Sequence, residues 1–153
     1  MSGKVIKVGL MGLGTVGTGV YKVMENQRSE FPHKIGAEME ITKILVRENA
    51  MEDAKARVRS DIQVVGSYED IVNDPEIDIV VVSTTNDTHK ELVIKALKAD
   101  KNVICEKPAT INSKDLEEMI EVAKDITITN VSVDFKVKIG MKNERIDLNS
   151  NMK

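Results

Sequence analysis

Three short stretches of this chain pair reactive or ligand-binding residue types with a spacing that chemistry can use. The first is Gly12-Leu13-Gly14-Thr15-Val16-Gly17, a Gly-x-Gly-x-x-Gly hexapeptide. In such a run the first glycine permits a tight turn, the second lets backbone come close to a pyrophosphate, and the third lets a helix pack near a strand. Amides at the start of that helix, aided by its dipole, then face the phosphates. The second stretch, Ser83-Thr84-Thr85-Asn86-Asp87-Thr88-His89, supplies small polar groups. Ser83, Thr84 and Asn86 suit a nicotinamide ribose and its linking phosphate. His89 is a possible base, but it falls within the first turn of a helix and reads better as a supporting group on the cofactor side. The third stretch is Glu106-Lys107-Pro108. A lysine held at a strand end beside a nicotinamide can donate a proton to a carbonyl that receives hydride, or orient the alcohol in reverse.

These stretches have meaning only if strands and helices place them together. Val5–Leu10 is a short apolar run that ends in glycines, as a buried parallel strand does. Val16, Val20, Val23 and Met24 then recur at helical spacing. Residues 26–36 are polar with Pro32 and Gly36, which reads as a helix end and a loop. Strands are expected at Glu40–Val46, Ile62–Val65, Ile77–Val82 and Asn102–Cys105. Helices are expected over Met51–Arg59, after Ser67, after Thr88 with Glu91 as a capping box, and after Asn112 or Ser113. Strands alternating with helices at this spacing predict an α/β fold: a doubly wound, mostly parallel sheet with right-handed crossovers.

In that fold ligands sit outside the carboxyl ends of the strands, at the point where strand order reverses. All three stretches end strands, so all three are expected there. The second strand ends at Val46-Arg47-Glu48. A carboxylate here would hold the adenine ribose hydroxyls of NAD, whereas a guanidinium would match the 2′-phosphate of NADP. Both residue types are present; Arg47 comes first and tilts the reading toward NADP. The cofactor set read from sequence is therefore Gly12, Leu13, Gly14, Thr15, Val16, Gly17, Arg47, Ser83, Thr84, Asn86, His89 and Glu106, with Lys107 catalytic and no metal.

Composition narrows the remaining classes. The chain has 153 residues, 41% hydrophobic and 31% charged, with a net charge of −3. Mixed charge without a basic face argues against nucleic acid, and two Tyr, two Phe and no Trp leave little for base stacking. The single cysteine, Cys105, excludes a disulfide framework and suits a reducing compartment. No apolar stretch reaches the ~20 residues needed to span a bilayer, and the first residues show no leader pattern. A cytoplasmic protein with no membrane or nucleic-acid partner is expected.

Two family resemblances follow from these motifs. Val8–Val20 and Ile41–Arg47 resemble homoserine dehydrogenase. Asn86–His89, Val103–Pro108 and Asn112–Met119 look more like the glucose–fructose oxidoreductase and inositol dehydrogenase family, which has Glu-Lys-Pro where homoserine dehydrogenases usually have Asn-Lys-Ala. Thr85 departs from the proline common in the sugar oxidoreductases. The resemblance covers about residues 4–125. It implies an NAD(P)-dependent oxidoreductase acting on a small polyol, sugar or homoserine-like alcohol or carbonyl, with Lys107 as its catalytic lysine. Both families carry a second domain of more than a hundred residues, whereas 28 residues follow Asp125 here. The alternative is a dinucleotide-binding or sensing protein, or a truncated enzyme, without a substrate domain. Residues 1–125 are thus expected to form the dinucleotide-binding domain, and 126–153 an amphipathic strand with a polar tail. That strand alternates Val131, Val133, Phe135, Val137 and Ile139 against polar residues, and its apolar face suggests a homodimer contact.

Overall fold

The computed structural model describes residues 4–127, 136–139 and 144–147, with side chains described through Asp125. The order is β1 (Val5–Met11), α1 (Thr15–Asn26), α2 (Phe31–Ile35), β2 (Glu38–Leu45), α3 (Met51–Arg57), β3 (Gln63–Val65), α4 (Glu69–Val72), β4 (Ile79–Val82), α5 (His89–Lys98), β5 (Asn102–Cys105), α6 (Ser113–Thr127), β6 (Lys136–Ile139) and β7 (Glu144–Asp147). β1 to β5 form one sheet in the order β3-β2-β1-β4-β5. Every pairing in it is parallel. This is the doubly wound α/β fold, with its switch point between β1 and β4.

The strand sequences explain why both faces are covered. β1 and β4 are apolar almost throughout, so neither face tolerates water. Val8, Leu10, Ile41 and Ile44 pack on one side with Val20, Tyr21 and Met24 of α1 and Ala54 of α3. Met11, Val80 and Val82 pack on the other with Ile71 of α4, Leu92, Val93 and Ala96 of α5, and Met119 and Ala123 of α6. Burying a Leu, Ile, Val or Met side chain contributes about 1.5–3 kcal/mol, so these two layers hold the strand ends at fixed positions. Among the described residues no helix is long and apolar enough to cross a membrane.

Three local expectations are corrected. Phe31–Ile35 is a one-turn helix rather than loop. Pro32 lies in its first turn, where a missing N–H costs nothing, and Gly36 (φ 72°) closes it in the left-handed region. Thr88 does not make a capping box. The 3₁₀ turn Asn86–Thr88 gives it helical backbone already, and its hydroxyl lies 2.7 Å from the Thr84 hydroxyl and 2.8 Å from the Thr85 carbonyl. The Asn112 cap does form, its Oδ1 accepting the Asp115 N–H at 2.8 Å. Finally, α6 runs through Ile126 and Thr127, where the strand was expected to begin. Residues 128–135 of that strand, with Val131, Val133 and Phe135, lie outside the described residues. Lys136–Ile139 is a strand, paired antiparallel with Glu144–Asp147 in a separate two-stranded sheet.

One buried-edge ion pair ties β2 to the loop before β4. Lys43 Nζ lies 2.9 Å from an Asp74 carboxylate oxygen, both side chains less than a fifth exposed. The Glu76 amide donates to the same carboxylate at 2.9 Å. The hydrogen bond from Lys43, then that from the Glu76 amide, hold the Asp74 carboxyl below its ordinary value. A carboxylate lowered in this way stabilises the fold at pH values above about 3.9 and loses that contribution as pH falls through its folded value. Asp74→Asn is expected to cost about 1–2 kcal/mol near neutral pH, between exposed and buried pairs. The cost should shrink in acid; denaturant melts at several pH values check it, and a pH-independent difference would contradict it.

Candidate functional site

The carboxyl ends of β1, β4 and β5 are stitched side by side through backbone hydrogen bonds. Gly12 N–H donates to Leu45 O at 2.8 Å, Ser83 N–H to Met11 O at 2.9 Å, and Glu106 N–H to Val82 O at 2.9 Å. Each donor is the first residue beyond its strand, bonded to the last residue of a neighbour. The glycine turn, the Ser83–Thr88 loop and the Glu106–Pro108 turn therefore leave the sheet as adjacent rungs. Val46 N–H donates to Val65 O at 3.0 Å, which brings Arg47 out at the same end.

The glycine turn is built for close approach. Gly12 has φ 95°, and a Cβ there would lie 2.8 Å from Ser83 O. A Cβ on Gly17 would lie 2.0 Å from Gly12 O. The Ser83 hydroxyl sits 3.0 Å from Met11 O and 3.2 Å from Gly12 O, so it braces the turn from the β4 side. Gly14, by contrast, has nothing within 4 Å of its Cβ position. No side chain caps α1, and no acidic residue lies in its first turn. Open space above Gly14 lies in front of the uncapped amides of α1, an arrangement able to hold an anion. Leu13 is anchored by its buried side chain, while Thr15 and Val16 are exposed at the mouth.

Arg57, on α3, was missed in the sequence. Its guanidinium reaches Leu13 O at 3.5 Å and the Thr18 hydroxyl, so it props the glycine turn from outside. On an exposed amphipathic helix it carries no local signal, because its partners lie 44 and 39 residues away.

The other expected residues separate by exposure. Arg47, Asn86 and Lys107 are exposed, and Thr84 and Glu106 are half-buried. Asp87 titrates below its ordinary value, chiefly through a hydrogen bond from the Thr85 side chain, with smaller help from the charges of Arg47 and His89. Arg47 is thus close enough to the loop after β4 to be felt there. His89, considered as a base, is fully buried. Its Nδ1 is 2.9 Å from Pro108 O and its Nε2 2.9 Å from Thr84 O. Both nitrogens lie within hydrogen-bond distance of backbone carbonyls.

Nothing around Cys105 favours its thiolate. Burial, then the neighbouring Glu106 charge, pushes its thiol up to about 12, and the thiolate is the reactive form. Among the described residues, no group of three or more His, Cys, Asp and Glu could hold a metal ion.

Comparison with known proteins decides the lineage. The model of an oxidoreductase family with an NAD-binding Rossmann fold, GFO_IDH_MocA, matches residues 6–135. The chain belongs to this oxidoreductase family. Myo-inositol 2-dehydrogenase of Thermotoga maritima is 32% identical over 123 residues, 78% of this chain and 33% of that protein. Homoserine dehydrogenase of Bacillus subtilis is 32% identical over 103 residues, 66% of this chain and 23% of that protein. The structure of a levoglucosan dehydrogenase in complex with NADH and levoglucosan superposes with a TM-score of 0.71 at 26% identity, covering 80% of this chain and 33% of that one. Both resemblances read from the sequence motifs thus recur among its relatives. The chain spans about a third or less of the length of the curated relatives it matches.

Proposed function

We infer that this family member binds NAD(H) or NADP(H) across the ends of β1 and β4 and serves hydride transfer to or from a small polyol, sugar or homoserine-like alcohol or carbonyl. The observation that carries the reading is the adjacency of the three strand ends. It sets an open glycine cradle beside a lysine-bearing turn, one strand apart on each side of β4. In this reading Gly12, Gly14 and Gly17 shape the pyrophosphate cradle, and the first-turn amides of α1 bind its charge. Ser83, Thr84, Asn86 and Glu106 line the nicotinamide side. The bound cofactor supplies or accepts the hydride. Lys107 holds the proton that the substrate oxygen gains as its carbon is reduced, or orients the hydroxyl when the reaction runs in reverse.

Fluorescence titration with NADH and NADPH tests the reading. Saturable binding in the micromolar range is expected; failure of both nucleotides to bind overturns it. The exposed Arg47 extends the reading toward NADP, since a guanidinium meets a phosphate through paired charged hydrogen bonds. Arg47→Ala should lower NADPH affinity about tenfold or more, the worth of a charged hydrogen bond, and leave NADH affinity nearly as it was. Equal losses for both nucleotides would remove the preference for NADP.

A further inference from the structure

We propose that His89 is the positioning residue for Lys107, its buried ring tying the turn after β5 to the loop after β4. The proposal rests on the reading of Lys107 given above. Residues 107 and 108 are exposed and belong to no helix or strand. Among the described residues, the one hydrogen bond made by residues 107–109 is that between Pro108 O and His89 Nδ1, at 2.9 Å. The other ring nitrogen meets Thr84 O, also at 2.9 Å. Carbonyl oxygens only accept, so the ring must donate at each side: the Nδ1–H tautomer holds Pro108 O alone, and holding both carbonyls at once takes the doubly protonated ring.

The ring is itself well fixed. His89 is the first residue of α5, whose Leu92, Val93 and Ala96 lie in the core. It is 0% exposed. A rigid, buried, bifunctional group thus reaches outward to two loops that carry candidate site residues, Thr84 on one and Lys107 on the other. Few side chains could do this. Leucine has comparable bulk but no donor, and an amide has donors on one nitrogen alone. Without the tether, the Lys107 backbone keeps only the Glu106 N–H bond to Val82 O behind it. The consequence falls on where the ammonium sits, not on the glycine cradle, which has its own braces in Ser83 and Arg57.

The test uses the full chain with its lysines ¹³C-dimethylated, the Lys107 signal being identified by its loss in Lys107→Arg. NMR spectra of the nucleotide-free protein, thermal melts and NADH titrations are then compared for wild type, His89→Leu and His89→Gln. The proposal expects the Lys107 signal to move in His89→Leu while other lysine signals hold. NADH affinity should stay within about threefold, which is under 1 kcal/mol, and His89→Gln should return the signal part-way. Where turnover is measurable, kcat should fall at least about tenfold in His89→Leu, with KM for the nucleotide steady. A Lys107 signal unmoved in His89→Leu overturns the proposal. So does a general loss of structure in both variants, every lysine signal shifting together, since that assigns His89 to the fold at large. Failure of the underlying reading looks different: saturating NADH would then leave the Lys107 signal of the wild type untouched, whatever the His89 variants do.

Discussion

Gly17→Ala is expected to abolish dinucleotide binding, and Gly14→Ala to separate the reason from its cost to the fold. At Gly17 a single methyl would stand 2.0 Å from Gly12 O, 2.8 Å from Gly12 C and 2.9 Å from Ser83 Oγ. Two of these are backbone atoms of the cradle, which cannot turn aside as the Ser83 hydroxyl could. Either α1 withdraws from β1 or the turn opens; both carry the first-turn amides away from the pyrophosphate position. NADH affinity should fall by at least about a hundredfold, close to 3 kcal/mol, and over-packing should cost the fold about 1–3 kcal/mol or more. Gly14→Ala meets no atom within 4 Å, so its thermal melt should match the wild type. Any loss of NADH binding there reports a methyl standing where the ligand lies. Wild-type NADH binding in Gly17→Ala would refute the cradle. A Gly14→Ala protein that melts early would show that the space above Gly14 is not open.

Lys107→Met is the second large effect. Methionine keeps most of the length and apolar bulk of lysine and removes the ammonium. Because Lys107 is exposed, stability should change by no more than about 0.5 kcal/mol. Turnover of a responsive substrate, found by screening polyols, sugars and homoserine, should fall about 10²–10⁴-fold, the range of a positioned general acid or base. NADH affinity should stay within about threefold, under 1 kcal/mol. That split marks a group acting on the reacting oxygen rather than on cofactor binding. Undiminished turnover would take the catalytic role from Lys107. A matching drop in NADH affinity would make it a binding group instead.

Much of this was legible in the linear sequence, for identifiable reasons. The central strands β1 and β4 announce themselves because a strand buried on both faces must be apolar nearly throughout, as Val80, Val81 and Val82 show. The glycine turn is legible because Gly12, at φ 95°, and Gly17, packed against Gly12 O, answer steric demands that no other residue meets. Asn112 could be read as a cap because its partner is three residues away. The misreadings share the opposite property. Pro32 and Gly36 look like loop markers in any sequence, and the same two residues start and stop a one-turn helix. Thr88 and Glu91 have capping-box spacing, but the preceding turn had already made Thr88 helical. Glu91 instead pairs with Lys95 at 3.3 Å. Ile126 and Thr127 fit an alternating strand equally well, and α6 simply runs on through them.

By itself, then, the sequence determined the order of the five parallel strands and of the helices between them apart from α2, the glycine turn and the residue types at each strand end. Those follow from local periodicity and local sterics, which act over a few residues. Tertiary structure alone decided what each side chain does at the site. Ser83 braces the glycine turn across 71 and 72 residues of chain, Arg57 props it across 44, and His89 joins two loops across 5 and 19. Such roles depend on which strand ends become neighbours in the sheet, and burial of the two apolar layers fixes that only when the whole chain has folded.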